Sequence, residues 1–117
     1  MSIGNYQSYI FPIIIILFFI YRVLRSKFIK KKIPGLIEKG ALIVDVRTKE
    51  EFTGAHNPKS INIPLNKLNK ECHQLDKSKP IILCCASGTR SGIALGILKK
   101  NGFTIVMNAG AWSNTLS

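Results

Sequence analysis

One stretch of the chain, residues 81–100, joins a short apolar run to a loop of small residues and a second apolar segment. Residues 81–84 (Ile-Ile-Leu-Cys) follow a proline and are typical of a buried strand in a parallel sheet. Residues 91–100 are mostly small or apolar, end in two lysines and precede a glycine, which predicts a helix. The stretch therefore predicts a strand, a tight loop and a helix in immediate succession.

The loop between these two elements places Cys85 at the carboxyl end of the strand. Small residues let consecutive backbone N–H groups point into one concavity, and the helix dipole adds to their attraction for an anion. A cysteine there is expected to have a lowered pKa and to be largely thiolate, the nucleophilic form. Arg90 adds charged donors for an anionic substrate group, and Gly88 permits close approach of a ligand.

The net charge of +11 is concentrated near the N-terminus of the 117-residue chain. Residues 22–32 contain six lysines and arginines and no acidic residue, whereas residues 33–117 contain eleven basic and six acidic residues. The basic cluster directly follows an apolar run, a placement that indicates a membrane surface and membrane lipid rather than a nucleic acid as partner. The length allows a single domain.

The apolar run itself, residues 9–21, is almost unbroken. Extended through Leu24, it approaches the ~20 residues that a bilayer-spanning helix needs. We therefore predict a polar N-terminus (1–8), a transmembrane helix (9–25), a basic juxtamembrane linker (26–36) and a domain (37–117). A cleaved signal peptide is the alternative, but it carries its positive charge before the apolar run. The positive-inside rule places the C-terminal domain of this single-pass protein in the cytoplasm.

Further strands and helices are predicted along the domain. Residues 41–46, 60–63 and 104–107 have strand character, a capping box begins a short helix at Thr48, and residues 65–75 have helical spacing. Residues 108–117 are expected to form a loop. The alternation predicts an α/β domain with a central parallel sheet, whose carboxyl edge brings together Asp45, Arg47 and Cys85.

Several motifs occur in a recognisable order: residues 42–47 followed by Glu51-Phe52, residues 56–64, residues 85–91, and residues 102–103 with 108–112. Together they resemble the rhodanese-like sulfurtransferase family in its single-domain, membrane-anchored form. The resemblance covers residues 37–117. It implies the rhodanese fold, a central parallel sheet flanked by helices, here preceded by one N-terminal transmembrane helix.

The resemblance also implies a reaction. Cys85 would take the outer sulfur of a small anionic donor such as thiosulfate, form a persulfide, and pass that sulfur to cyanide or a thiol. Arg90 would orient the donor, and Asp45 and Arg47 would support the loop as a buried ion pair. A sulfur-acceptor protein is a further partner, while no cofactor and no metal are expected. The loop residues that would bind the substrate are Ala86, Ser87, Gly88, Thr89, Arg90 and Ser91.

Two alternatives remain open from the sequence. The same domain would serve as a sulfur carrier or binding module at the membrane if it did not turn over alone. Counting from Cys84 instead of Cys85 gives the longer loop of the phosphatase branch of this fold. Strand alternation predicts that Cys84 is buried, which favours Cys85. Cys72 lies on an apolar helix face, and Cys72-His73 lacks the spacing of a metal site.

Overall fold

The computed structural model describes residues 4–116 and has the predicted α/β architecture. The N-terminal helix is followed by strands and helices in alternation. Two short 3-10 turns, Cys72–Gln74 and Trp112–Thr115, complete the described chain. In chain order the elements are α1 (Gly4–Glu38), β1 (Leu42–Asp45), α2 (Lys49–Gly54), β2 (Ser60–Asn62), α3 (Leu65–Glu71), β3 (Ile81–Cys85), α4 (Thr89–Lys100) and β4 (Val106–Ala111).

The strands of the described residues form one parallel sheet in the order β2-β1-β3-β4. Val44 of β1 lies opposite Leu83 of β3, and Asp45 lies opposite Cys84. All five residues of β3 are buried, as expected for a central strand covered on both faces. The carboxyl ends of β1 and β3 therefore meet at one edge of the sheet, the edge where ligands bind in folds of this class.

The side chains of β3 alternate between two packed layers. Ile81, Leu83 and Cys85 pack in the layer formed with α3 and α4. Ile82 and Cys84 pack in the opposite layer, which contains residues of α1. The two adjacent cysteines thus lie on opposite faces of the sheet, because successive strand side chains point in opposite directions.

Helix α1 continues without a break through the basic segment that the sequence suggested to be a linker. Ile29 and Ile33 are buried against the sheet, whereas residues 6–24 are exposed. The segment Tyr6–Glu38 is long and apolar enough to cross a membrane. The division into span, linker and domain remains a prediction, and residues 1–3 of the predicted polar N-terminus lie outside the described residues.

The direction of α1 relative to the strands determines which part of the helix lies near the carboxyl edge of the sheet. Leu36 and Lys39, near its C-terminal end, line one pocket with Ile81 at the start of β3. Ser26, farther toward its N-terminus, donates a hydrogen bond to Asn114 beyond the end of β4. Helix α1 therefore runs antiparallel to the strands, and its exposed apolar half lies on the side of the sheet's carboxyl edge.

The end of the domain differs from the sequence-based expectation. Residues 104–107 were predicted as a strand and 108–117 as a loop, but β4 spans Val106–Ala111 and a 3-10 turn follows. A register shift opposite Leu83 and Cys85, together with Gly110 at φ +77°, lets the strand continue. Asn, Gly and Ala have low strand propensity, so pairing with β3 decides the conformation here. Ser117 lies outside the described residues.

Candidate active site

Cys85 ends β3, and the chain turns through residues 86–88 into α4. Gly88 precedes the helix at φ +105°, a conformation that glycine adopts readily. Its backbone N–H donates a hydrogen bond to the Sγ of Cys85 at 2.9 Å. The turn thus aims a main-chain donor and the positive end of the α4 dipole at the sulfur.

The surroundings of Cys85 favour its thiolate form. Burial of the residue acts to raise its pKa. Hydrogen bonds to the sulfur outweigh burial and hold the pKa of Cys85 below its ordinary value. They come from the Ser91 hydroxyl and from the backbone N–H groups of Ser91, Gly88 and Ser87. Ala86, Ser87 and Thr89 are exposed, and among these three residues Ser87 contributes to the lowered pKa through its backbone N–H.

Cys84 has the opposite environment. It is fully buried beside Ile82, Ile43 and the α1 residues of the second core layer. Burial raises the pKa of Cys84 to about 12, and the neighbouring carboxylate of Asp45 acts in the same direction. A thiol with this pKa is protonated at neutral pH and is a poor nucleophile. The thiolate form is therefore favoured at Cys85 and disfavoured at Cys84.

The side chain of Asn108 in β4 forms hydrogen bonds that hold the cysteine loop in place. Its Oδ1 accepts the hydroxyl of Ser91 at 2.6 Å and the N–H of Gly110 at 2.9 Å. Its Nδ2 donates to the backbone oxygen of Gly88 at 3.2 Å. Gly88 and Gly110 are in close contact, since a Cβ at Gly88 would lie 3.3 Å from the Cα of Gly110. One amide side chain thus fixes both the turn at Gly88 and the hydroxyl beside the sulfur.

Arg90 is engaged by Glu51 of α2. Its two terminal nitrogens donate to the two carboxylate oxygens at 2.6 and 3.0 Å. The bond from Arg90 lowers the pKa of Glu51 to about 2, and the same pair raises the pKa of Arg90. Glu51 also completes the capping box with Thr48. Arg90 therefore ties the start of α4 to α2, and an anion would reach its guanidinium only alongside the Glu51 carboxylate.

Asp45 and Arg47 form a buried ion pair with an Nη2–Oδ2 distance of 2.8 Å. The hydrogen bond to Asp45 is the main reason that the pKa of Arg47 is raised. Arg47 also donates to the backbone oxygen of Ala55 at 2.7 Å, and its guanidinium lies 5.0 Å from the ring centre of Trp112. The pair thus joins the end of β1 to the loop after α2 and to the C-terminal turn.

Two further side chains with reactive or titratable groups, those of Cys72 and His56, pack within the fold. Cys72 is fully buried in the core, and His56 stacks on Phe52 with its Nδ1 2.6 Å from the Phe52 carbonyl oxygen. Within residues 4–116, no group of three or more His, Cys, Asp or Glu side chains is arranged to hold a metal ion.

Two residues of the site were not assigned a role from the sequence. Glu51 and Asn108 both stand in the recognised motifs, but their partners Arg90 and Ser91 are 39 and 17 positions away. The capping box was the only local signal for Glu51. For Asn108, the available signal was a polar residue directly after a predicted strand and two positions before a glycine.

Comparisons with known proteins show the family to which the chain is similar. The sequence model of the rhodanese-like domain family matches residues 30–116. The thiosulfate sulfurtransferase GlpE of Pseudomonas syringae pv. syringae (strain B728a) is 32% identical over 81 residues, covering 65% of this chain and 76% of that protein. YrkF of Bacillus subtilis (strain 168), named as a sulfur carrier protein, is 41% identical over 66 residues, covering 56% of this chain and 36% of that protein.

Among solved structures, one described as "rhodanese with anions from E. coli" superposes with a TM-score of 0.60 and 33% identity, covering 63% of this chain and 89% of that chain. The chain spans little more than a third of the sulfur carrier protein that it matches. The relatives GlpE and YrkF are named for sulfur transfer and for sulfur carriage. By its sheet order, its cysteine loop and these matches, the chain belongs to the rhodanese-like domain family.

Proposed function

We propose that this protein is a sulfurtransferase that carries sulfane sulfur on Cys85. The thiolate of Cys85 attacks the outer sulfur of thiosulfate, the sulfur–sulfur bond of the donor breaks, and its electron pair leaves with sulfite. Cys85 is then a persulfide anion. A thiolate or cyanide attacks the outer sulfur, and Cys85 departs as thiolate, ready for another cycle. Each step is a nucleophilic displacement at sulfur, so a low-pKa cysteine suits both the attacking and the leaving role.

One observation carries this proposal: the sulfur of Cys85 accepts hydrogen bonds from the turn at Gly88 and lies beside the Ser91 hydroxyl. Donors fixed by the fold stabilise a negative sulfur without needing to reorganise. The outer sulfur of a persulfide would extend from the same position toward the loop amides of residues 86–90. Arg90, held by Glu51, contributes positive charge near an arriving anion, and Asp45 with Arg47 keeps the loop in place.

The test is the mass of the full chain after incubation with thiosulfate, followed by peptide mapping. We expect the gain of one sulfur atom on the peptide containing Cys85. Cys85→Ser should neither gain sulfur nor catalyse thiosulfate:cyanide transfer, whereas Cys84→Ser is the matched control and should do both. Full thiosulfate:cyanide activity in Cys85→Ser would overturn the mechanism.

A sulfur-carrier role is the second candidate, favoured by the match to YrkF. In that case Cys85 would accept sulfur normally but release it only to a partner protein. Normal persulfide formation with negligible multiple turnover on cyanide and small thiols would select the carrier role. The phosphatase alternative requires Cys84 as nucleophile, and the burial of that thiol argues against it. Hydrolysis of an aryl phosphate that is lost when Cys84 is replaced would support the phosphatase alternative.

We further propose that residues 9–25 span the membrane once and that the domain faces the cytoplasm. The exposed apolar surface of α1 and the basic residues that follow it support this placement. Protease treatment of sealed vesicles tests it. The domain should be digested in inverted vesicles and protected in right-side-out vesicles, and the reverse pattern would contradict the orientation.

A further inference from the structure

Between α1 and the cysteine loop lies a cleft of about 490 Å³. We call it the helix cleft. One wall is formed by α1 residues, among them Phe18, Tyr21, Arg22 and Arg25. The other wall contains the loop residues 87–89 and residues 108–111 of β4. The helix cleft thus combines the loop beside the reactive sulfur with the segment of α1 where the apolar run gives way to basic residues.

The wall from α1 is positively charged and aromatic. The guanidinium of Arg22 lies 5.9 Å from the ring centre of Phe18, and Arg25 donates to the Tyr21 hydroxyl at 3.2 Å. No acidic side chain is among the described residues that line the helix cleft. An occupant with an anionic group for the guanidinium groups and an apolar part for the rings would match this wall.

Contacts hold this wall in place. The Ser26 hydroxyl donates to Asn114 at 3.0 Å, and Ile29 is buried one turn farther along α1. Ser26 and Ile29, like the wall residues before them, precede the part of the chain that the family model matches, which begins at residue 30. The wall is therefore an addition of this chain to the family domain, and a ligand recognised by it would be selected by features outside that domain.

The helix cleft is also close to the sulfur. Gly88 lines the cleft and donates its backbone N–H to the Sγ of Cys85 at 2.9 Å. The sulfur thus lies directly behind one residue of the cleft wall. A thiol held in the cleft is placed next to the loop in which a persulfide on Cys85 would lie.

We propose that the helix cleft binds the sulfur acceptor and that this acceptor is an anionic thiol with an apolar chain. This inference rests on the proposed persulfide function. The acceptor thiolate attacks the outer persulfide sulfur, the bond between the two sulfurs of the persulfide breaks, and its electron pair returns to Cys85. The acceptor leaves as a persulfide. Its anionic group pairs with Arg22 and Arg25, and its chain packs on Phe18 and Tyr21.

The experiment uses the full chain in mild detergent, loaded with sulfur by thiosulfate and separated from the donor. The rate at which Cys85 loses its sulfur is measured with 6-mercaptohexanoate, 6-mercaptohexanol and 3-mercaptopropionate. The first two have almost the same thiol reactivity, since the carboxylate is far from the sulfur. We expect 6-mercaptohexanoate to react about tenfold faster than either of the others at limiting concentration, the factor that ~1.4 kcal/mol of extra binding gives.

The variant Arg22→Gln/Arg25→Gln should lose the preference for 6-mercaptohexanoate over 6-mercaptohexanol. Lys30→Gln/Lys31→Gln removes the same charge from exposed positions of α1 that do not line the helix cleft, and it should keep the preference. Equal rates for the two thiols in the wild type would overturn the proposal, as would a preference that survives in the arginine variant. Loading by thiosulfate is measured first in the wild type, and its absence there would count against the persulfide function instead of the helix cleft.

An anionic thiol with an apolar chain can reach the helix cleft either from water or from a bilayer. A second arm therefore reconstitutes the loaded chain in phosphatidylcholine vesicles that contain phosphatidylthioethanol, a lipid with a phosphate and a headgroup thiol. Arginine-dependent discharge by this lipid identifies a membrane-embedded acceptor. Arginine-dependent discharge by 6-mercaptohexanoate alone identifies a soluble one. Discharge that is independent of the arginines in both settings contradicts the site.

Discussion

The hydroxyl oxygen of Ser91 lies 3.3 Å from the Sγ of Cys85. The same hydroxyl donates its single proton to Oδ1 of Asn108 at 2.6 Å. In that arrangement the thiol of Cys85 is the donor to Ser91. Once the sulfur is ionised it can only accept, so the hydroxyl must turn its proton from Asn108 to the sulfur. Asn108 remains satisfied because its Oδ1 also accepts the N–H of Gly110.

The first prediction concerns this hydroxyl. Ser91→Ala removes a hydrogen bond that lowers the pKa of Cys85, so that pKa should rise. Thiolate forms above the pKa, and the rate of alkylation by iodoacetamide should therefore reach its half-maximum at a higher pH. We expect this half-maximum to move up by about 1–2 pH units, since a hydrogen bond to a charged group contributes about 1.5–3 kcal/mol.

Ser113→Ala is the control for this measurement, because Ser113 is exposed and follows β4 outside the loop. Its alkylation profile should match that of the wild type. An unchanged profile in Ser91→Ala would show that the hydroxyl does not stabilise the thiolate.

The second prediction compares two glycines of the same region. At Gly88 a side chain would have to adopt φ +105° and would crowd the Cα of Gly110, whereas a Cβ at Gly96 meets nothing within 4 Å. Gly88→Ala should cost about 1–2 kcal/mol of folding free energy for the left-handed conformation. It should also slow persulfide formation, because the displaced N–H contacts the Sγ of Cys85.

Gly96→Ala lies inside α4 and should instead stabilise the protein by up to about 1 kcal/mol, the difference in helix propensity. Chemical unfolding of the full chain in detergent measures both effects. If both variants were equally stable and equally active, the strain assigned to Gly88 would be wrong.

The third prediction concerns the buried pair of Asp45 and Arg47. Asp45 is fully buried and accepts hydrogen bonds from the backbone and the side chain of Arg47. Asp45→Asn leaves the guanidinium without its counter-charge and should cost about 3–5 kcal/mol. The fluorescence of Trp112, the only tryptophan of the chain, reports unfolding next to Arg47.

Asp76→Asn is the matched control for Asp45→Asn. Asp76 is exposed, and among the described residues its carboxylate accepts hydrogen bonds only from Ser78. Its replacement should cost less than about 1 kcal/mol. Similar losses in the two variants would mean that the buried pair has no special role in stability.

Much of the sheet could be predicted because its signals are local. Buried parallel strands read as continuous apolar runs, which identified β1 and β3, and the alternation along β3 separated Cys84 from Cys85. The capping box at Thr48 identified α2. These elements are specified by residues that are close in sequence, so they can be predicted without knowing how the chain folds.

The contacts that complete the site are different. The bonds of Arg90 to Glu51 and of Ser91 to Asn108 depend on how α4, α2 and β4 pack, and no local pattern specifies such partners. The docking of α1 had a weaker signal. Ile29 and Ile33 are four residues apart among lysines, which is the spacing of a buried helix face, but the adjacent basic cluster indicated a linker.

The last prediction concerns acid. The Arg90 guanidinium, with a smaller contribution from the hydrogen bonds of Thr48, holds the pKa of Glu51 at about 2, compared with 4.5 for an unperturbed glutamate. A carboxyl group whose pKa is lowered by folding stabilises the native state above its unfolded pKa, and this contribution is lost as the pH falls toward its folded pKa. The wild type should therefore lose more stability between pH 5 and pH 2 than Glu51→Gln does.

Glu50→Gln provides the control, because Glu50 precedes Glu51 on the same helix and makes no ion pair among residues 4–116. Thermal unfolding in detergent at several pH values gives the difference between each variant and the wild type. The stability lost through Glu51→Gln should shrink as the pH falls from 5 to 2, since the wild-type pair itself weakens there. Glu50→Gln should show no such trend, and a trend of the same size would assign the acid sensitivity to the net charge of α2 rather than to the pair with Arg90.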